Sequence, residues 1–105
     1  MEIKARTNYP GKVKGTIVLN PFNLHMYSNP VLVVSDFLLD HTIFLGKVKA
    51  VLIRRDSILT HAAIITREFR IPSAVGVNYE FKEGEVVEIE FNNDGTTLIR
   101  ICSDK

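Results

Sequence analysis

Along this chain, apolar residues either alternate with polar ones or gather in short β-branched runs, and each pattern predicts an element. Ile3 to Arg6 alternates and reads as a short strand. Asn8-Tyr9-Pro10-Gly11 carries turn chemistry. Lys12 to Leu19 reads as a second strand, in which Gly15 marks a bulge or a close backbone approach. Asn20 to Pro30 holds two prolines, three asparagines and a serine, and reads as a long loop.

The middle of the chain changes character. Val31-Leu32-Val33-Val34 is a continuous apolar run, as expected of a strand covered on both faces in a parallel sheet. Ser35-Asp36 offers N-cap chemistry for a helix over Phe37 to Leu45, with Gly46 as its stop. Val48 to Ile53 is a second buried-type strand, so strand, helix and strand form a βαβ unit with a right-handed crossover. After a loop over Arg54 to Leu59, Thr60 can cap a helix over His61 to Arg70, which Pro72 prevents from continuing. Ile64, Ile65 and Phe69 are expected to carry much of that helix's buried face. Ala74 to Val77 is a short strand. Glu85 to Phe91 and Thr97 to Ile101 flank the strong turn Asn92-Asn93-Asp94-Gly95 and predict a closing antiparallel hairpin. The fold class expected is α/β, with a mixed sheet that is parallel in the middle and antiparallel at its ends.

Composition narrows the function classes. The 105 residues are 46% hydrophobic, enough for one domain over 1–105 and too few for two. Thirteen basic and twelve acidic side chains are interspersed for a net charge of +1, which argues against nucleic acid or an anionic membrane as the main partner. No apolar run nears the roughly 20 residues of a membrane span. Cys102 is the single cysteine, read as a small apolar residue on a strand, and one unpaired thiol fits a reducing, cytoplasmic setting. No cysteine pair or acidic cluster suggests a metal site, and no phosphate-cradling glycine loop is present.

The chemistry concentrates at one place. A buried-type strand ends at Ile53, a polar loop follows, and a helix opens at Thr60-His61. The first helical turn has backbone N–H groups without internal partners and roughly half a positive charge from the helix dipole. A neutral imidazole there has a nitrogen lone pair that can attack as a nucleophile, and the same helix end stabilises a phosphoryl anion once formed. Thr60 can cap the helix or donate its hydroxyl to a phosphate oxygen. Ala62 and Ala63 let the turn approach a substrate closely. His25 in the loop and His41 in the first predicted helix show no such surroundings.

The stretch Asp56 to Gly76, with Thr60-His61-Ala62-Ala63-Ile64 followed by Arg67-Glu68 and Ile71-Pro72-Ser73-Ala74-Val75-Gly76, resembles the mobile phosphohistidine domain of the phosphoenolpyruvate-utilising enzymes, such as phosphoenolpyruvate synthase and pyruvate phosphate dikinase. That resemblance implies a swivelling β/β/α domain in three layers. It implies a phosphotransferase component in which His61 is transiently phosphorylated, with Thr60, the backbone N–H of Ala62 and Arg67 binding phosphate. The phosphoryl group would pass between a phosphoenolpyruvate-binding barrel domain and an ATP-binding or acceptor domain, on the same longer chain or on separate subunits. Mg²⁺, phosphoenolpyruvate and ATP would then be bound by those partner domains, and no cofactor by this chain alone. Asp56 and Ser57 stand where the family has two glycines, and Leu59 where it has a threonine. Arg54 and Arg55 read as a solvated pair flanking Asp56, the alternative being that they compensate electrostatically for the lost glycines and hydroxyl. The alternative reading keeps the fold and drops the chemistry: a non-catalytic member serving as a binding or regulatory module.

Overall fold

The structure is a computed structural model that describes residues 2–36 and 46–102. The helix predicted over Phe37 to Leu45, its crossover and His41 lie outside the described residues. Seven strands form one sheet: β1 (Glu2–Tyr9), β2 (Gly11–Val18), β3 (Pro30–Val34), β4 (Ala50–Ile53), β5 (Ser73–Val75), β6 (Val86–Phe91) and β7 (Thr96–Ile101). One α-helix, α1 (His61–Glu68), lies between β4 and β5. The loop expected over Asn20 to Pro30 contains a 3-10 turn at Pro21–Met26, capped where the Phe22 N–H donates to the Asn20 side chain at 3.0 Å.

The sheet is mixed, as the sequence predicts, and it closes on itself in the order β1-β5-β4-β3-β2-β6-β7, with β7 returning to β1. β2, β3, β4 and β5 run parallel. β1, β6 and β7 complete the barrel by antiparallel pairing, and β6 and β7 form the expected hairpin. The Asn8-to-Gly11 turn is a corner, because β1 and β2 pair with other strands and not with each other.

Burial explains which strands read as continuous apolar runs. Val31, Val33, Ala50, Leu52 and Ala74 point into the barrel with Ile17, Val87, Ile89, Phe91 and Ile99. The alternate residues Leu32, Val51, Ile53 and Val75 face outward into a second cluster with Ala62, Ala63, Leu24 and Ile71. β3, β4 and β5 are therefore covered on both faces and β6 on one, where Glu88 is exposed between buried Val87 and Ile89. Gly15 is a close approach: a Cβ there would collide with the Asn29 carbonyl oxygen.

Two expectations are corrected. The inner face of α1 is Ala62, Ala63 and Thr66, and Ile64 and Phe69 are 39% and 53% exposed; of the three bulky residues expected there, Ile65 alone packs, half-buried, against the outer cluster. Small side chains bring the helix near the barrel, so its bulky residues are left to the flanks. Cys102 is an exposed thiol just beyond β7. Among the described residues no helix is long and apolar enough to cross a membrane.

Candidate functional site

The parallel pairing of β3 with β4, from Val31 opposite Ala50 to Val34 opposite Ile53, continues past both strands. Arg54 N–H donates to the Val34 carbonyl at 2.9 Å, and Arg55 N–H to the Ser35 carbonyl at 3.0 Å. Asp36 and Arg55 are thereby set side by side at the carboxyl ends of neighbouring parallel strands, where open α/β sheets commonly bind ligands. Their side chains form an ion pair, Arg55 Nη1 to Asp36 Oδ2 at 3.2 Å.

The two arginines flanking Asp56 then diverge: Arg55 and Asp56 are exposed, as expected, while Arg54 is half-buried. Arg54 turns to Glu80, at 3.5 Å, and donates to the Tyr79 carbonyl at 3.3 Å. Asp56 accepts from Arg6 Nε at 2.7 Å. It leans over Gly76, which has φ of 72° and where a Cβ would lie 3.0 Å from the Asp56 carboxyl.

The loop next winds into α1. Ser57 Oγ accepts from the Leu59 N–H at 3.1 Å. Thr60 is the N-cap: its hydroxyl accepts from the Ala63 N–H at 3.2 Å and donates to the Ser57 carbonyl at 3.3 Å. His61 is the first helical residue, half-buried, as the capping pattern predicts. It lines an open depression of about 380 Å³ together with Asp36, Arg55, Ser57, Leu59 and Thr60. Leu59, where the resembling family has a hydroxyl, is 76% exposed. Asp56 is not part of this wall.

Of the predicted site residues, the structure brings His61 and Thr60 together at the depression and holds Ala62 and Arg67 elsewhere. Ala62 is buried, and its N–H donates to the Asp36 carbonyl at 3.1 Å. Arg67 Nη1 donates to Asn8 Oδ1 at 2.6 Å and to the Ile58 carbonyl at 2.9 Å, tying the loop before His61 to β1. Two wall residues lie outside the predicted set: Asp36, and Arg55, which the sequence offers only as one of two arginines able to compensate electrostatically. Ser35-Asp36 was legible only as helix-capping chemistry, and the usable signal was that two adjacent parallel strands deliver their following residues to one place. Among the described residues no group of three His, Cys, Asp or Glu side chains is placed to hold a metal ion.

Residues 27–97 match the family model described as PEP-utilising enzyme, mobile domain. The chain belongs to that family. Among curated proteins no relative matches the chain. The mobile-domain match takes in β3, β4, α1, β5 and β6 and every residue that lines the depression. Arg6 and Asn8, which brace the mobile domain's loop and helix from β1, lie outside the matched stretch.

Proposed function

We propose that this chain is a phosphoryl-carrier domain and that His61 is the residue phosphorylated. The observation that carries the reading is the position of His61: first residue of α1, ring at an open depression, in a chain of the mobile-domain family. A ring nitrogen attacks the phosphorus of a donor in line with the leaving oxygen. The N–P bond forms as the P–O bond breaks, and the leaving group departs with the electron pair. Positioning and charge stabilisation supply the catalysis, because little else is asked of the protein in such a transfer.

Thr60 is proposed to turn its hydroxyl from the Ser57 carbonyl to a phosphoryl oxygen. The Ala62 N–H would join once the Asp36 carbonyl gives way. Arg67 enters through the loop it holds at Ile58. Residues 1–105 would act as one swivelling β/β/α unit in a reducing, cytoplasmic setting. Mobile domains of this family usually sit within multidomain phosphoenolpyruvate-utilising enzymes. The proposed partners are accordingly a phosphoenolpyruvate-binding barrel and an ATP-binding domain, which would hold Mg²⁺ and both substrates.

One observation favours the second reading, a non-catalytic binding or regulatory module. The Thr60 hydroxyl and the Ala62 N–H are both engaged within the protein, and Leu59 adds no donor. Incubation with a phosphoenolpyruvate- or ATP-dependent family partner separates the two. The carrier acquires acid-labile, alkali-stable phosphate that His61→Ala abolishes. A native chain that stays unlabelled, under conditions that label a genuine carrier, overturns the proposal in favour of the module.

A further inference from the structure

The wall of the depression holds an ion pair to which the carrier reading assigns no part. Asp36 and Arg55 face it together with His61, and their side chains are 43% and 67% exposed. We infer that Arg55 grips the phosphoryl oxygens once they are on His61, and that Asp36 is its counter-ion while the ring is unmodified. The inference rests on the carrier reading and names the charge partner within that site.

A phosphoryl group brings roughly two negative charges and three strong acceptor oxygens. The donors expected for it at the start of α1 are already engaged: the Thr60 hydroxyl by Ser57 and Ala63, the Ala62 N–H by Asp36. Among the residues lining the depression, Arg55 is the one with a cationic side chain. A guanidinium can donate two parallel hydrogen bonds to phosphate, and it remains charged throughout the working pH range.

The exchange is cheap. An exposed ion pair like Arg55–Asp36 contributes little to stability, so little opposes a change of partner. A phosphoryl dianion outbids a single carboxylate for the same guanidinium. The backbone beneath is held at both sides, by Arg55 N–H to the Ser35 carbonyl at 3.0 Å and Gly76 N–H to the Arg55 carbonyl at 3.1 Å. The side chain therefore moves from a fixed base. Asp36 left uncovered beside the phosphoryl group would repel it, so the two residues have opposite effects on its arrival.

That opposition is the test. Phosphoramidate serves as a small chemical donor that needs no partner protein: its P–N bond breaks, a ring-nitrogen–P bond forms at His61, and the departing ammonia takes the ring proton as ammonium. Mass spectrometry follows labelling of His61, with His61→Ala as the site control and circular dichroism as the check of folding. Arg55→Gln is expected to slow labelling and Asp36→Asn to speed it, each by about two- to fivefold, the range of an exposed ion pair. Arg55→Lys keeps the charge and is expected to restore most of the rate. If the pair were only a strut, breaking it from either side would shift the rate in the same direction, and that result overturns the inference. Unchanged rates in both variants, with native His61 labelled, overturn it too and leave the carrier reading standing. A native chain labelled no faster at His61 than at the exposed His25 removes the carrier reading and the inference together.

Discussion

Asn8 does more for the geometry around His61 than its local sequence announces. Its Nδ2 has three acceptors for two hydrogens: the Ala63 carbonyl at 2.9 Å, Thr66 Oγ1 at 3.1 Å and Ser73 Oγ at 2.9 Å. Its Oδ1 accepts from Arg67 at 2.6 Å. A carbonyl can only accept and a guanidinium can only donate, so these two neighbours fix which way the amide points. Removing the side chain strands several part-buried groups at once. Asn8→Ala is expected to cost about 1–3 kcal/mol, read as a lower urea midpoint. In the sequence Asn8 looks like part of a turn. Its partners lie 55, 58 and 65 positions away, beyond the reach of any local pattern.

The helix α1 shows where periodicity succeeds and where it stops. Its start was legible because the cap is local: Thr60 bonds a residue three positions on. Its buried face was legible only at Ile65, which packs half-buried against the outer cluster, because hydrophobicity points also to Ile64 and Phe69 while the fully buried positions are Ala62, Ala63 and Thr66. The predicted stop lay near Arg70, and regular helix ends at Glu68. Arg70 takes a left-handed conformation, φ of 57°, and the Ile71 N–H then reaches back to the Thr66 carbonyl at 2.9 Å. A side chain in that conformation is strained by roughly 1–2 kcal/mol, part of which glycine gives back as freedom in the unfolded chain. Arg70→Gly is expected to gain about 0.5–1 kcal/mol in urea unfolding, with α1 keeping its length.

Closure of the barrel depends on the first and last strands. β1 pairs Arg6 with Val75 on one side and Glu2 with Arg100 on the other, so the two ends of the described chain lie together. Ile99, on β7, is fully buried in the barrel interior. Ile99→Ala is expected to cost about 2–4 kcal/mol in urea unfolding, whereas Leu59→Ala, on the exposed rim, stays within about 0.5 kcal/mol.

Strand identities could be read from the chain because burial on one or two faces imprints alternation or continuity on each segment separately. The opening of the helix at His61 could be read because a cap needs only neighbours in sequence. Barrel closure and the meeting of Asp36 with Arg55, 19 positions apart, could not. Each depends on the hydrogen-bond register between separate strands, and register is a property of the pair that appears only when the strands come together.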